Sequence, residues 1–356
     1  MTTSSQYRDR VRRLTSGGRF DAALIASPQG LRYFSGFSGF GGAYLVLGPS
    51  GSNMVVTELE APDSDGAFFE DRLVVEKSKP LLPEVIKVLS SELGQGILGL
   101  EEEFVSLSLY EKLKGLGRDW VGISRDISAM RSVKDEQELT DIRHAIEISE
   151  QAFEQVMEFV RPGVTENQVA ARLEMAMKEG GSEVPSFPTI VASGARAANP
   201  HALPTDKKIG ENEVVVVDFG ATYHGYSSDM TRTLFVGSPP KELHLAFDAV
   251  LETQLACFSS LRVGQPLSEA ASLAVRSLEK YGLAKYYIHS LGHGIGLEVH
   301  ESPYLSLTSN DVLSDGNTFT LEPGVYIPDL GGIRIEDDFL AWEGKVSKLS
   351  SLPARL

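Results

Sequence analysis

Five side chains in the C-terminal half are of the types that bind hard divalent cations. They are Asp218 and Asp229 in VVVVDFGATYHGYSSDMTRT, His293 in HSLGHGIGLEVHE, Glu322 in TLEPGVY and Glu336 in GGIRIEDD. Four carboxylates and one neutral imidazole balance the charge of two divalent ions. Oxygen donors with a single ring nitrogen suit Mn, Fe, Co or Zn better than a soft metal, with Mn favoured. Two such ions ~3.5–4 Å apart can hold a water between them, lower its pKa and stabilise the oxyanion formed when it adds to a carbonyl. The chemistry implied is hydrolysis of an amide without a covalent intermediate.

These residues need strands and turns to bring them together. Asp218 follows the valine run 214–217, which suits a buried strand, and a second β-rich run covers 231–236. Tyr223-His224-Gly225 between them reads as a hairpin turn. A hairpin symmetric about Tyr223 and His224 sets Asp218 directly opposite Asp229, with Cβ atoms ~4.5–5.5 Å apart. Two like charges so placed call for a cation between them. Glycines flank His293 and permit close backbone approach. Their spacing matches neither a Walker loop nor a dinucleotide fingerprint. Glu322 and Glu336 fall on strands expected over 317–322 and 333–339, joined by a Pro/Gly loop. Period-two alternation puts Arg334, Glu336 and Asp338 on one face of the second strand.

The rest of the chain supplies the frame. A length of 356 residues suits two domains. Residues 1–129 read as a small α/β domain with strands near 21–26, 43–47, 54–57, 73–76 and 97–100. Residues 130–356 read as an α+β catalytic domain. It opens on a helix over 134–159, with Leu139, Ile142, Ile146, Phe153 and Val156 at helical spacing. Pro162-Gly163 ends that helix, and Thr165 with Gln168 forms a capping box for the next. Further helices are expected over 241–261 and 267–281. No internal duplication is assigned.

Composition excludes several classes. The net charge of −16 argues against a nucleic-acid surface. No apolar run is long enough for a membrane span, and the N-terminus lacks the apolar core of a secretion signal. Cys257 is the single cysteine, which rules out a disulfide framework and fits a cytoplasmic location. Its place in an amphipathic helix reads as core packing, so a cysteine- or serine-nucleophile hydrolase is set aside.

The ordered motifs from 200 to 338 resemble those of the pita-bread metallopeptidases, the family of methionine aminopeptidase, aminopeptidase P, prolidase and the non-metal relative creatinase. The likeness extends to MRSVKDEQELTDIRHA at 130–145 and to FDAALIASPQGLRYFSGF in the first domain, which resembles the creatinase/prolidase N-terminal domain. It implies a pita-bread catalytic domain, two divalent ions and cleavage of Xaa-Pro bonds in dipeptides or short peptides. Prolidase activity is the leading expectation; aminopeptidase P and a catalytically silent binding module are the alternatives. By the resemblance, Asp218 chelates one ion and Asp229 bridges both; His293 and Glu322 bind the other, and Glu336 is the second bridge. Glu322 also exchanges protons with the attacking water. His201 in NPHALP lies beside the substrate and scissile nitrogen, and His300 stabilises the carbonyl oxygen. The family also implies a homodimer. Two departures stand out: Ala202 where glycine is frequent, and Tyr304 where archaeal-type prolidases often carry arginine. Arg334 is then either the cation for a free substrate carboxylate or a partner of the metal-binding acids.

Overall fold

The chain divides into two units in the computed structural model, Met1–Arg131 and Ser132–Leu356; the structure describes residues 3–39 and 41–355. In the first unit β1 (Ala22–Ile25), β2 (Ala43–Gly48), β3 (Gly51–Thr57), β4 (Asp71–Val75), β5 (Ile97–Leu100) and β6 (Asp119–Gly122) form one sheet, ordered β4-β3-β2-β1-β5-β6. The β1-β5-β6 half is parallel, as is β3 with β4, whereas β2 runs antiparallel to both its neighbours. Helices α1 (Ser4–Thr15), α2 (Pro28–Ser35), α3 (Leu81–Leu93), α4 (Leu107–Leu113) and α5 (Ser124–Ser132) complete it. The buried Glu101 carboxylate accepts from Ala26 N, Ser27 N and Ser27 Oγ at 2.6, 2.9 and 2.5 Å, which fixes the turn from β1 into α2.

The second unit opens with α6 (Glu136–Val156) and α7 (Glu166–Glu179). Each starts on a capping box, Asp135 with Glu138 and Thr165 with Gln168. Then come β7 (Ile190–Ser193), β8 (Glu213–Phe219), the short pair β9 (Thr222–Tyr223) and β10 (Tyr226–Ser227), and β11 (Met230–Val236). The sheet order is β11-β8-β7. Its central strand explains the valine run, because both faces are buried. Val215 and Val217 pack with Ile142, Ile146 and Phe153 of α6, while Val214 and Val216 pack with Leu243, Phe247 and Val250 of α8 (Lys241–Ser260).

After α8 come α9 (Leu267–Glu279), β12 (Gly292–Gly294), β13 (Glu301–Leu305), β14 (Thr318–Leu321), β15 (Gly324–Ile327), β16 (Gly331–Arg334), β17 (Asp337–Trp342) and β18 (Lys345–Lys348). The strand expected over 333–339 is in fact two, β16 and β17, with Ile335 and Glu336 between them. Pro323 explains the break: it has no N–H to give to the ladder opposite Ile335. Glu336 forms an isolated bridge to Thr231 instead.

The unit also repeats itself, which its sequence hides. Gly163 N donates to Ile209 O and Thr165 bridges Lys208 at the start of α7. Gly264 N donates to Leu313 O and Pro266 bridges Val312 at the start of α9. Among the described residues no helix is long and apolar enough to cross a membrane.

Candidate metal centre

The hairpin register corrects one expectation. β11 pairs with β8 so that Asp218 lies opposite Thr231, and Tyr226 lies opposite Tyr223. The turn is therefore His224-Gly225, one residue later than expected, with φ of 47° and 77°. Positive φ at both central residues is the two-residue turn whose twist matches the strands. Moving the turn centre by one residue shifts the pairing by two, so Asp229 stays on the face of Asp218 but diagonal to it. Thr231 takes the opposing place. Its hydroxyl lies 2.9 Å from Asp218 Oδ1 and 2.8 Å from Glu336 Oε2.

The direct opposition expected of the two aspartates occurs between the two glutamates. Leu321 pairs with Asp337 and Gly324 with Arg334, so the same register sets Glu322 across from Glu336. His293, on β12, joins them. Its Nδ1 is 3.2 Å from the Gly294 carbonyl oxygen, an acceptor only, so that nitrogen carries the proton. The Nε2 lone pair then faces Glu322 Oε1 at 3.5 Å and Asp229 Oδ2 at 3.6 Å. Burial holds this imidazole neutral, pushing its pKa down to about 3.

A lone pair and two carboxylate oxygens converging at 3.5–3.6 Å offer a donor set for a cation, and the surroundings agree. Oxygen or nitrogen atoms of Asp218, Asp229 and Glu336, and of His293, Glu322 and Glu336, lie within 4.8 Å of one another. Glu336 Oε1 is buried without a hydrogen-bond partner. Burial first, then Glu336, Asp218, Asp338 and Glu322, push the Asp229 carboxyl well above its ordinary range. Burial does the same to Glu336, with Glu322 and Asp218 adding to it. The residues present fit divalent metal ions.

A cavity of about 520 Å³ opens over the cluster, lined also by Phe187, His201, Leu203, His289, His300 and Tyr304. His201 and His300 are exposed to it, and the His300 ring sits edge-on to His293 with centroids 4.1 Å apart. Tyr304 is 45% exposed at this cavity. Arg334 is 4% exposed and already engaged. Its Nη2 donates to Asp218 Oδ2 at 2.6 Å, its Nε to Thr231 Oγ1 at 2.9 Å and its Nη1 to Tyr326 OH at 2.6 Å. Of the two roles left open for it, this geometry is that of a partner to the acids. Sequence reasoning missed Thr231 and Tyr326, and gave no role to Asp338, whose carboxylate accepts from Asp229 N at 3.2 Å. Correct placement of the turn would have found Thr231.

Comparison with known proteins gives the cluster a context. Residues 140–343 match the model of Metallopeptidase family M24, and residues 8–133 match that of the Creatinase/Prolidase N-terminal domain. The chain belongs to metallopeptidase family M24. An Xaa-Pro dipeptidase of Pyrococcus furiosus is 38% identical over 338 residues, 94% of this chain and 95% of that protein. The structure of an Xaa-Pro dipeptidase from Bacillus anthracis matches with a TM-score of 0.90 at 32% identity, covering 99% of this chain and 100% of that one. An X-Pro aminopeptidase from Thermotoga maritima matches at 0.91 and 35% identity, covering 100% and 99%. Membership of M24 bears out the two-part α+β architecture and makes the chain a metallopeptidase that uses divalent metal ions.

Two expectations follow for this M24 protein. Without metal, Glu322, lifted to about 8 by burial and the Asp218 charge against the opposing pull of Arg334, keeps a proton that the unfolded chain has lost above pH ~4. Asp229 and Glu336 shift the same way. The folded state then binds more protons, so its stability falls as pH rises through this window. The thermal midpoint of chelator-treated protein should decline from roughly pH 5 to roughly pH 8, and saturating divalent salt should remove the decline. A midpoint flat with pH in the absence of metal would contradict this. Separately, Cys257 is fully buried and its thiol is pushed up to about 12 by burial. Iodoacetamide at neutral pH should leave the native protein unmodified and fully active; rapid labelling without unfolding would refute the assignment to the core.

Proposed function

We propose that the chain hydrolyses the Xaa-Pro bond of dipeptides, as a prolidase, using two divalent ions. The observation that carries this reading is the Nε2 lone pair of His293 aimed at two carboxylates under a cavity large enough for a dipeptide. The named dipeptidases above support the substrate. Asp218 and Asp229 would hold one ion and His293 and Glu322 the other, with Asp229 and Glu336 as the shared ligands. Donor atoms of Asp229, His293 and Glu336 each fall in two of three clusters, one of which is Asp229, His293 and His300. Mn is favoured for this oxygen-rich set, with Fe, Co and Zn able to replace it. When bound, the ions supply a water of lowered pKa and polarise the scissile carbonyl.

The side chains do the rest. Glu322 lies next to His293 at the cavity wall and exchanges a proton between the attacking water and the departing proline nitrogen. His300 faces the carbonyl oxygen, and His201 faces the scissile nitrogen. Arg334 holds Asp218 in place and keeps its orientation through Tyr326, whose hydroxyl also contacts His289 Nε2 at 2.9 Å. Tyr304 borders the substrate at the cavity wall. The single cysteine fits a cytosolic location, and the family likeness supports a homodimer.

A panel of Xaa-Pro dipeptides, Xaa-Pro-Yaa tripeptides and Xaa-Ala controls, assayed with Mn-loaded protein, tests the reading. Turnover of the dipeptides with little of the controls is expected. Cleavage of the tripeptides alone would make the protein an aminopeptidase P, and inactivity on every proline substrate would overturn the proposal.

A further inference from the structure

His201 has little to hold it in place. Its side chain is exposed, and its backbone N–H donates to Asn199 Oδ1 at 3.1 Å. Its direction is therefore set by the arc of chain 194–204 that leads from β7 toward β8. One carboxylate ties both of its ends, while Arg334 Nη1 reaches Pro200 O beside His201 at 3.4 Å. Glu166, at the first position of α7, is fully buried. Its Oε1 accepts from Ser193 N and Ser193 Oγ, both at 2.8 Å, where the arc begins. Its Oε2 accepts from Thr205 N at 3.1 Å and Thr205 Oγ1 at 2.7 Å, where the arc ends. Arg196 Nε reaches the same oxygen at 3.1 Å, and Arg196 Nη2 donates to Leu203 O at 2.7 Å. Both ends and the middle of the arc are thus tied to a single buried charge.

The fold itself does not require a charge at this position. In the repeated half of the unit, the first residue of α9 is Leu267, also fully buried. Leu267 N donates to Asp311 O at 2.9 Å just as Glu166 N donates to Lys207 O at 3.1 Å. The same junction is therefore built once around an apolar residue. Desolvating a carboxylate is costly, and an apolar replacement for a buried ion pair is often neutral for stability. Glu166 is also remote from the metal cluster: Ser193 pairs with Val215, whereas Asp218 pairs with Ile190, three residues or ~10 Å along the strands. We propose that Glu166, together with Arg196, is a positioning residue that fixes the arc carrying His201 and so sets the scissile-nitrogen side of the site. The inference rests on the reading of His201 given under Proposed function.

A double-mutant cycle on Mn-loaded protein tests it. Glu166→Gln should lower kcat/KM for an Xaa-Pro dipeptide by about 10–100-fold, the scale of a misplaced catalytic geometry. Metal content should be unchanged, and amides 194–205 should exchange hydrogen faster than in the wild type. In a His201→Ala background the same substitution should cost no more than about twofold. An equal loss in both backgrounds would show that Glu166 acts on stability or on the metals, and would overturn the proposal. Full activity of His201→Ala alone would instead overturn the reading of His201, and the proposal with it. Should Glu166→Gln fail to fold, Arg196→Lys, at a partly exposed side chain, goes through the same cycle with the same criteria.

Discussion

Asp229→Asn is expected to remove metal and activity together. The variant keeps the shape of the side chain but cannot carry the charge that the two proposed ions would share. Bound metal should fall to one ion or fewer per chain, and kcat/KM for an Xaa-Pro dipeptide should drop by more than about a thousandfold, equivalent to ~4 kcal/mol of lost transition-state stabilisation. Stability should move the other way. In metal-free protein Asp229 is crowded by Glu336, Asp218, Asp338 and Glu322, so the metal-free variant should melt no lower than the metal-free wild type. Element analysis, steady-state kinetics and thermal melts on one preparation read all three. Full activity with two bound ions would show that the shared ligand is misassigned.

Arg232→Met should produce the largest loss of stability. Arg232 and Asp337 form an ion pair at 2.6 Å with both side chains fully buried. The guanidinium also donates to the carbonyl oxygens of Thr231, Glu336, Leu352 and Pro353. It therefore joins β11, the break between β16 and β17 and the C-terminal segment directly behind Thr231 and Glu336. Removing one partner of such a pair leaves an uncompensated buried charge and costs about 3–5 kcal/mol. Chemical denaturation of the metal-loaded variant checks this, and a midpoint within error of the wild type would refute it. Lys348 Nζ lies 2.9 Å from Asp337 Oδ1 and offsets part of the loss.

Local signals were legible in the sequence because they act over a few residues. The Thr165 capping box, the helix ending before Pro162 and the buried valine strand all follow from short-range rules, and the structure contains each of them. The five candidate ligands do converge around one cavity. What sequence concealed was register. His224 adopts a positive φ, uncommon for any non-glycine residue, and Tyr223-His224-Gly225 offers two adjacent turn centres that local sequence does not separate. Pro323 broke the ladder that sets Glu322 across from Glu336. The internal repeat was concealed for another reason: its shared features are backbone hydrogen bonds at Gly163 and Gly264, which Thr165 and Pro266 accommodate with different side chains. Buried partners such as Thr231, Arg232 and Arg334 are defined by tertiary contacts, and no local pattern announces them.

On the proposed function, this cluster of acids and one histidine would hold two ions that make the site competent for Xaa-Pro hydrolysis. Calorimetric titration of Mn into chelator-stripped protein, with dipeptide turnover followed at each addition, tests it most directly. The expected result is two ions bound per chain, protons released on binding as the raised carboxyls ionise, and turnover that appears only as the sites fill. Full turnover by the stripped protein, or no binding with no turnover at saturating Mn, would contradict it.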